Sequence, residues 1–250
     1  DPSVDLDDNG NAVVVWRQHD GVYGQSIDID GDKLWSGDVH VTAGQGHYPD
    51  DPDVGIDDDG NATVVWYEQS GTVYAQRLNA DGDISWAGDV SVGSEVWGEP
   101  LVEVDGLGNS LIVWKGMSDI RAQRLNPDGA KLWNPEAQVS SDSGEGWSLA
   151  TGGDVSGNAV VLWTDRRNNN TDIYAQRLNP SGHRSWVSDL QVTYPDFFFF
   201  PVGTAQSGAV DTTPDEIVAA TLSASFNLNG GMVRFLLTND GGAHWTGVSP

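Results

Sequence analysis

The chain has 250 residues, no cysteine, and 37 acidic against 12 basic side chains, a formal net charge of −25. Disulfides and thiolate metal sites are thereby excluded. Nucleic acid is excluded as a partner too, because binding it needs clustered Lys and Arg to displace counterions, and membrane insertion finds no apolar run near the ~20 residues of a spanning helix. Of the acids, 30 are Asp and only 7 are Glu. Asp, Asn and Gly are turn formers, so much of the acidity is expected at turns.

In chain order, Asp7 to Asn11 reads as a turn and Ala12 to Trp16 as a buried strand; the phrase DIDGDKLW then ends at Trp35. The second unit, Pro52 to Trp97, spells out the pattern in full. Asp53 to Ile56 is a short strand, Asp57 to Asn61 a turn, and Ala62 to Trp66 a β-branched buried strand. A polar loop follows at Glu68 to Gly71, then an alternating strand at Val73 to Leu78, a turn at Asn79 to Gly82, and a short strand at Asp89 to Val92. The phrases recur in the third unit, ending at Trp114 and Trp133, and in the fourth, ending at Trp163 and Trp186. Trp16, Trp66, Trp114 and Trp163 thus stand 50, 48 and 49 residues apart. A fifth, divergent unit reads as strands at 202–206, 216–223 and 232–237, with Thr246 to Pro250 left for a very short last strand.

Four strands per unit with no helical periodicity predict an all-β chain, a β-propeller of four-stranded antiparallel blades. Five blades are expected, at about 2–48, 52–98, 100–147, 148–200 and 201–250, in a single domain spanning 1–250. A chain that opens at Asp1 without methionine or signal peptide reads as a processed or excised piece.

Thr238-x-Asp240-x-Gly242-x-x-Trp245 resembles the Asp-box of sialidase-like (BNR-type) propeller repeats in secreted bacterial proteins. Degenerate copies stand in register at Asp28, Asp30 and Trp35, at Asn79, Asp81 and Trp86, at Asn126, Asp128 and Trp133, and at Asn179, Gly182 and Trp186. The resemblance implies a blade hairpin on the face opposite any active site, with its Asp and Trp in structural roles. It also implies a secreted or cell-surface location. The three-arginine set of sialidases is not reproduced, because Arg77, Arg124 and Arg177 belong to the repeat phrase itself.

Function is expected where the repeat stops repeating, since variable tips on a fixed scaffold carry ligand contacts. The segments after the repeated tryptophan differ in every unit and supply Arg17, His19, Asp20, Tyr67, Glu68, Lys115, Asp165, Arg166 and Arg167 as binding candidates. The blade crossings add the aromatic residues Tyr48, Trp97 and Trp147, beside the run Phe197 to Phe200. Aromatic platforms beside charged groups suit sugar stacking with polar anchoring. Five-bladed glycosidases place carboxylates at the start of the innermost strands, which makes Asp51, Asp53 and Glu99 catalytic candidates. Asp5, Asp7 and Asn9 copy the opening of an EF-hand loop, but Trp16 stands where the bidentate Glu belongs, so a calcium ion is a weak expectation and no other cofactor is expected.

The leading expectation is a non-catalytic extracellular module binding a glycan or a cell-surface polymer. The alternatives are a structural or adhesive unit of a larger surface assembly, with self-association or neighbouring domains, and a five-bladed glycoside hydrolase.

Overall fold

The computed structural model describes residues 2–42, 49–141, 148–168, 170–193, 235–237 and 246–248. The chain divides into two compact units, Asp1–Thr193 and Tyr194–Pro250.

The first unit holds four antiparallel four-stranded sheets, each built from consecutive strands. The first comprises β1 (Pro2–Leu6), β2 (Ala12–Gln18), β3 (Gly21–Ile27) and β4 (Val39–His40). The second comprises β5 (Pro49–Ile56), β6 (Ala62–Glu68), β7 (Thr72–Leu78) and β8 (Val90–Ser94). The third comprises β9 (Leu101–Val104), β10 (Ser110–Lys115), β11 (Ile120–Leu125) and β12 (Ala137–Gln138). The fourth comprises β13 (Leu149–Gly153), β14 (Ala159–Asp165), β15 (Asp172–Leu178) and β16 (Leu190–Gln191). The leading strands β1, β5, β9 and β13 pack against one another in that order. Consecutive up-and-down sheets stacked about their first strands are the blades of a β-propeller. In the second unit, β17 (Phe235–Leu237) pairs antiparallel with β18 (Thr246–Val248).

Strand alternation explains the stacking. On β6, Val64 and Trp66 face the first sheet and join Val13, Val15, Val22 and Trp35 in one apolar cluster. Val65 points the other way and joins Val102, Ile112 and Trp114 of the third sheet. The third interface repeats the pattern, with Val161 and Trp163 against Val113, Val139 and Trp133. Burying each such side chain contributes about 1.5–3 kcal/mol. Trp66, Trp114 and Trp163 are buried in these clusters between blades; Trp16, on the face of β2 opposite Val13 and Val15, is only half-buried.

The second tryptophan of each repeat also reaches across an interface, whereas the box alone implies a role within its own hairpin. The Trp35 indole donates to the carbonyl of Ala80 (2.9 Å), Trp86 to that of Pro127 (2.8 Å) and Trp133 to that of Pro180 (3.1 Å). Each acceptor lies in the turn of the next blade. The glycine of that turn has two reasons to be glycine. Gly82 has φ +86°, and an added Cβ would come within 2.7 Å of the Trp35 ring.

Inside each blade a buried glutamine ties the third strand to the second tryptophan. Gln123 Oε1 accepts from the backbone N–H of Arg124 and Trp133, and its amide donates to the Trp133 carbonyl. Gln76 and Gln176 do the same in their blades. Arg77 meets the buried Asp57 carboxylate and donates to the Gly108 carbonyl of the following blade (3.1 Å).

Candidate functional site

The second strand of each blade runs out to the rim through the segment after its tryptophan, and the first strand starts at the same rim. At the junction of the first two blades this geometry gathers a polar cluster. Asp50 on β5 stands opposite Tyr67 on β6, and the register then slips between Asp50 and Asp53. The slip is a bulge that re-aims side chains. It holds Asp51 at φ +44°, a conformation uncommon outside glycine and asparagine. Arg17, at the end of β2, donates to Asp50 Oδ1 across the blade junction (2.5 Å).

Electrostatics connect the cluster further. Burial pushes the Asp51 carboxyl above the usual range, and the nearby Asp50 and Glu99 carboxylates add to the shift. Burial likewise raises the Tyr67 phenol, reinforced by Asp50, Asp51 and Glu99, which keeps it a neutral hydrogen-bond donor. Glu99 and Trp97 come from the crossing between β8 and β9. Trp97 is 66% exposed, while its backbone N–H is fixed on the Lys115 carbonyl at the end of β10 (2.9 Å). The structure therefore places Arg17, Asp51, Tyr67, Trp97, Glu99 and Lys115 along one stretch of rim over three blades, together with Asp50.

The fourth-blade candidates are placed differently. Asp165 has a fully buried side chain and accepts from the Trp163 indole (3.2 Å) and from Arg167 Nε (2.8 Å). Burial opposes its ionisation, but the Arg167 and Trp163 hydrogen bonds outweigh that, and its carboxyl lies below the usual range. Arg167 also pairs with the buried Asp189 (3.1 Å) and lies 4.1 Å over the Tyr174 ring. Asp189 in turn accepts from Arg184 and from the Ser141 N–H and hydroxyl of the third blade. These groups fasten two blades to each other. Arg166 is exposed and bonds Thr171 within its own loop (3.1 Å). His19 and Asp20 are exposed at the first-blade tip, where Asp20 accepts from the Tyr23 hydroxyl (3.2 Å). Glu68 is half-buried beyond Tyr67. Tyr48, Trp147 and Phe197 to Phe200 lie outside the described residues.

A second acidic group occupies the leading strands themselves. Asp53 accepts from the Ser3 hydroxyl of the first blade (2.6 Å) and from the Val102 N–H of the third (2.9 Å). Asp5 accepts from the Ile56 N–H of the second blade (2.9 Å). Glu103 completes the group; burial, then the Asp5 and Asp53 charges, push its carboxyl up to about 7. Sequence reasoning passed over Glu103 and Asp50. The signal for Glu103 was register: it precedes the turn residue Asp105 by two positions, as Asp5 precedes Asp7, where the other repeats have Gly55 and Gly152. Asp50 carried no signal apart from its neighbour Asp51, because only the bulge decides where each points.

At the first hairpin, Asp7 Oδ1 accepts from the backbone N–H of Asn9 and Asn11, so the carboxylate shapes the turn that an EF-hand start would shape around an ion. Asp57, Asp105 and Asp154 make the same bonds in their repeats. Among the described residues no three acidic or histidine side chains are arranged to hold a metal ion.

The sequence matches no family model and no curated protein. Among solved structures, the chain is similar to a protein of unknown function from Bacteroides caccae, at 19% identity and a TM-score of 0.47, over 78% of this chain and 62% of that one. It is also similar to the GH43 protein BlXynB from Bacillus licheniformis, solved as a mutant, at 10% identity and a TM-score of 0.46, over 71% and 39% of the two chains. An endo-arabinase from Bacteroides thetaiotaomicron matches at 15% identity and a TM-score of 0.43, over 70% and 72%. The chain spans less than two thirds of the first two proteins.

Proposed function

We propose that this chain is an extracellular β-propeller module of five blades, with residues 201–250 as the fifth repeat, that binds a glycan at its rim without chemically altering it. The observation that carries the reading is the exposed Trp97 in the crossing between β8 and β9, two residues before Glu99, whose charge acts on Tyr67 together with those of Asp50, Asp51 and Arg17. An indole face packs on the apolar face of a pyranose, while phenol, guanidinium and carboxylates bond its hydroxyls. Aliphatic side chains are exposed at several other places, but among the described tryptophans Trp97 alone is exposed, the others being buried or half-buried in blade packing. A glycan array with the intact protein should give a saturable ligand. Trp97→Ala should abolish that binding with the far-ultraviolet spectrum unchanged; array silence from folded protein would overturn the reading.

A second reading, glycoside hydrolysis, is favoured by Glu103. A carboxylic acid held near neutrality beside two other carboxylates is the pairing of unequal acidities that general acid catalysis uses. In this reading Glu103 is the proton donor, and Asp53 or Asp5 is the base or nucleophile. Release of reducing sugar from a polysaccharide panel, lost in Glu103→Gln, supports it; full retention of such activity in that variant removes Glu103 from the chemistry.

A further inference from the structure

We draw no further inference here: the strongest candidate, the apolar outer face of the first blade, where Val4, Leu6, Val14 and Trp16 stand as Val54, Ile56, Val64 and Trp66 do where the second blade meets the first, carries nothing, because nothing in the structure shows what covers it.

Discussion

The segments after Trp66 and after Trp163 occupy the same place in their blades and carry equally polar sequences, Tyr67 to Ser70 and Thr164 to Arg167. They even start from the same aromatic pair: Trp66 stacks on Tyr74 at 6.3 Å and Trp163 on Tyr174 at 6.4 Å. From there they part. In the fourth blade Asp165 turns inward, caps the Trp163 indole and clamps Arg167, which Asp189 and Tyr174 hold from the other side. In the second blade the Trp66 indole nitrogen is buried without a partner among the described residues, and Tyr67 instead faces the Asp50 and Asp51 charges of its own blade and those of Arg17 and Glu99 beyond it. Variability in a loop therefore has two physical meanings. A polar tip whose charges close on one another is part of the scaffold; one that does not close in this way is where the proposed binding is to be sought.

The sharpest way to break this contrast is Asp165→Ala. It strips a half-buried arginine of its fully buried partner and an indole of its acceptor, and should cost about 3 kcal/mol in chemical denaturation. If the loss is below about 1 kcal/mol, the fourth-blade cluster is not the clamp described. Glu103→Gln tests the acidic group on the leading strands and has a definite sign. The Glu103 carboxyl titrates at about 7 in the fold against an ordinary value of 4.5, so the folded state binds its proton more tightly than the unfolded chain. The contribution is full below pH 4.5 and disappears as the pH rises through 7. The glutamine variant should therefore be more stable than the parent at pH 8, by about 1–2 kcal/mol once solvent screening of a half-exposed group is allowed for. Its advantage should vanish near pH 4. Arg17→Ala removes a partly exposed pair and should cost about 1 kcal/mol or less, with the difference fading in high salt. Trp97→Ala should change stability by no more than about 0.5 kcal/mol. The contrast lies in the pairing of outcomes: scaffold substitutions move stability, whereas rim substitutions move ligand affinity.

The sequence made the blades legible because β-branched runs and repeated turns act locally. Ala62 to Trp66 and Val73 to Leu78 fall inside β6 and β7, and the predicted stretch at 232–237 contains β17. It made the start of β5 illegible. Pro52 among aspartates reads as a turn, yet the strand begins at Pro49 and accommodates the proline in a bulge. That bulge depends on pairing with β6, a non-local event. The rim was half visible for the same reason. Arg17 and Tyr67 stood out as variable tips, and Asp51 and Glu99 as acids at strand starts, but no local rule says that these two sets meet. Nor does any local rule separate Asp165 from Tyr67, since the partner that neutralises the fourth-blade tip, Asp189, lies 24 positions further along the chain.

The indole bonds between blades have one more consequence. Their donor is a side chain, but their acceptors are backbone carbonyls, those of Ala80, Pro127 and Pro180. Alanine and proline serve equally, because every residue carries the same carbonyl. As far as these bonds are concerned, a repeat can therefore be duplicated, lost or exchanged without a matching acceptor side chain in the one that follows it, provided that the turn there keeps the glycine on which the indole packs. Such a junction lets an array lengthen or shorten by whole units during its history while the tips of each unit diverge on their own.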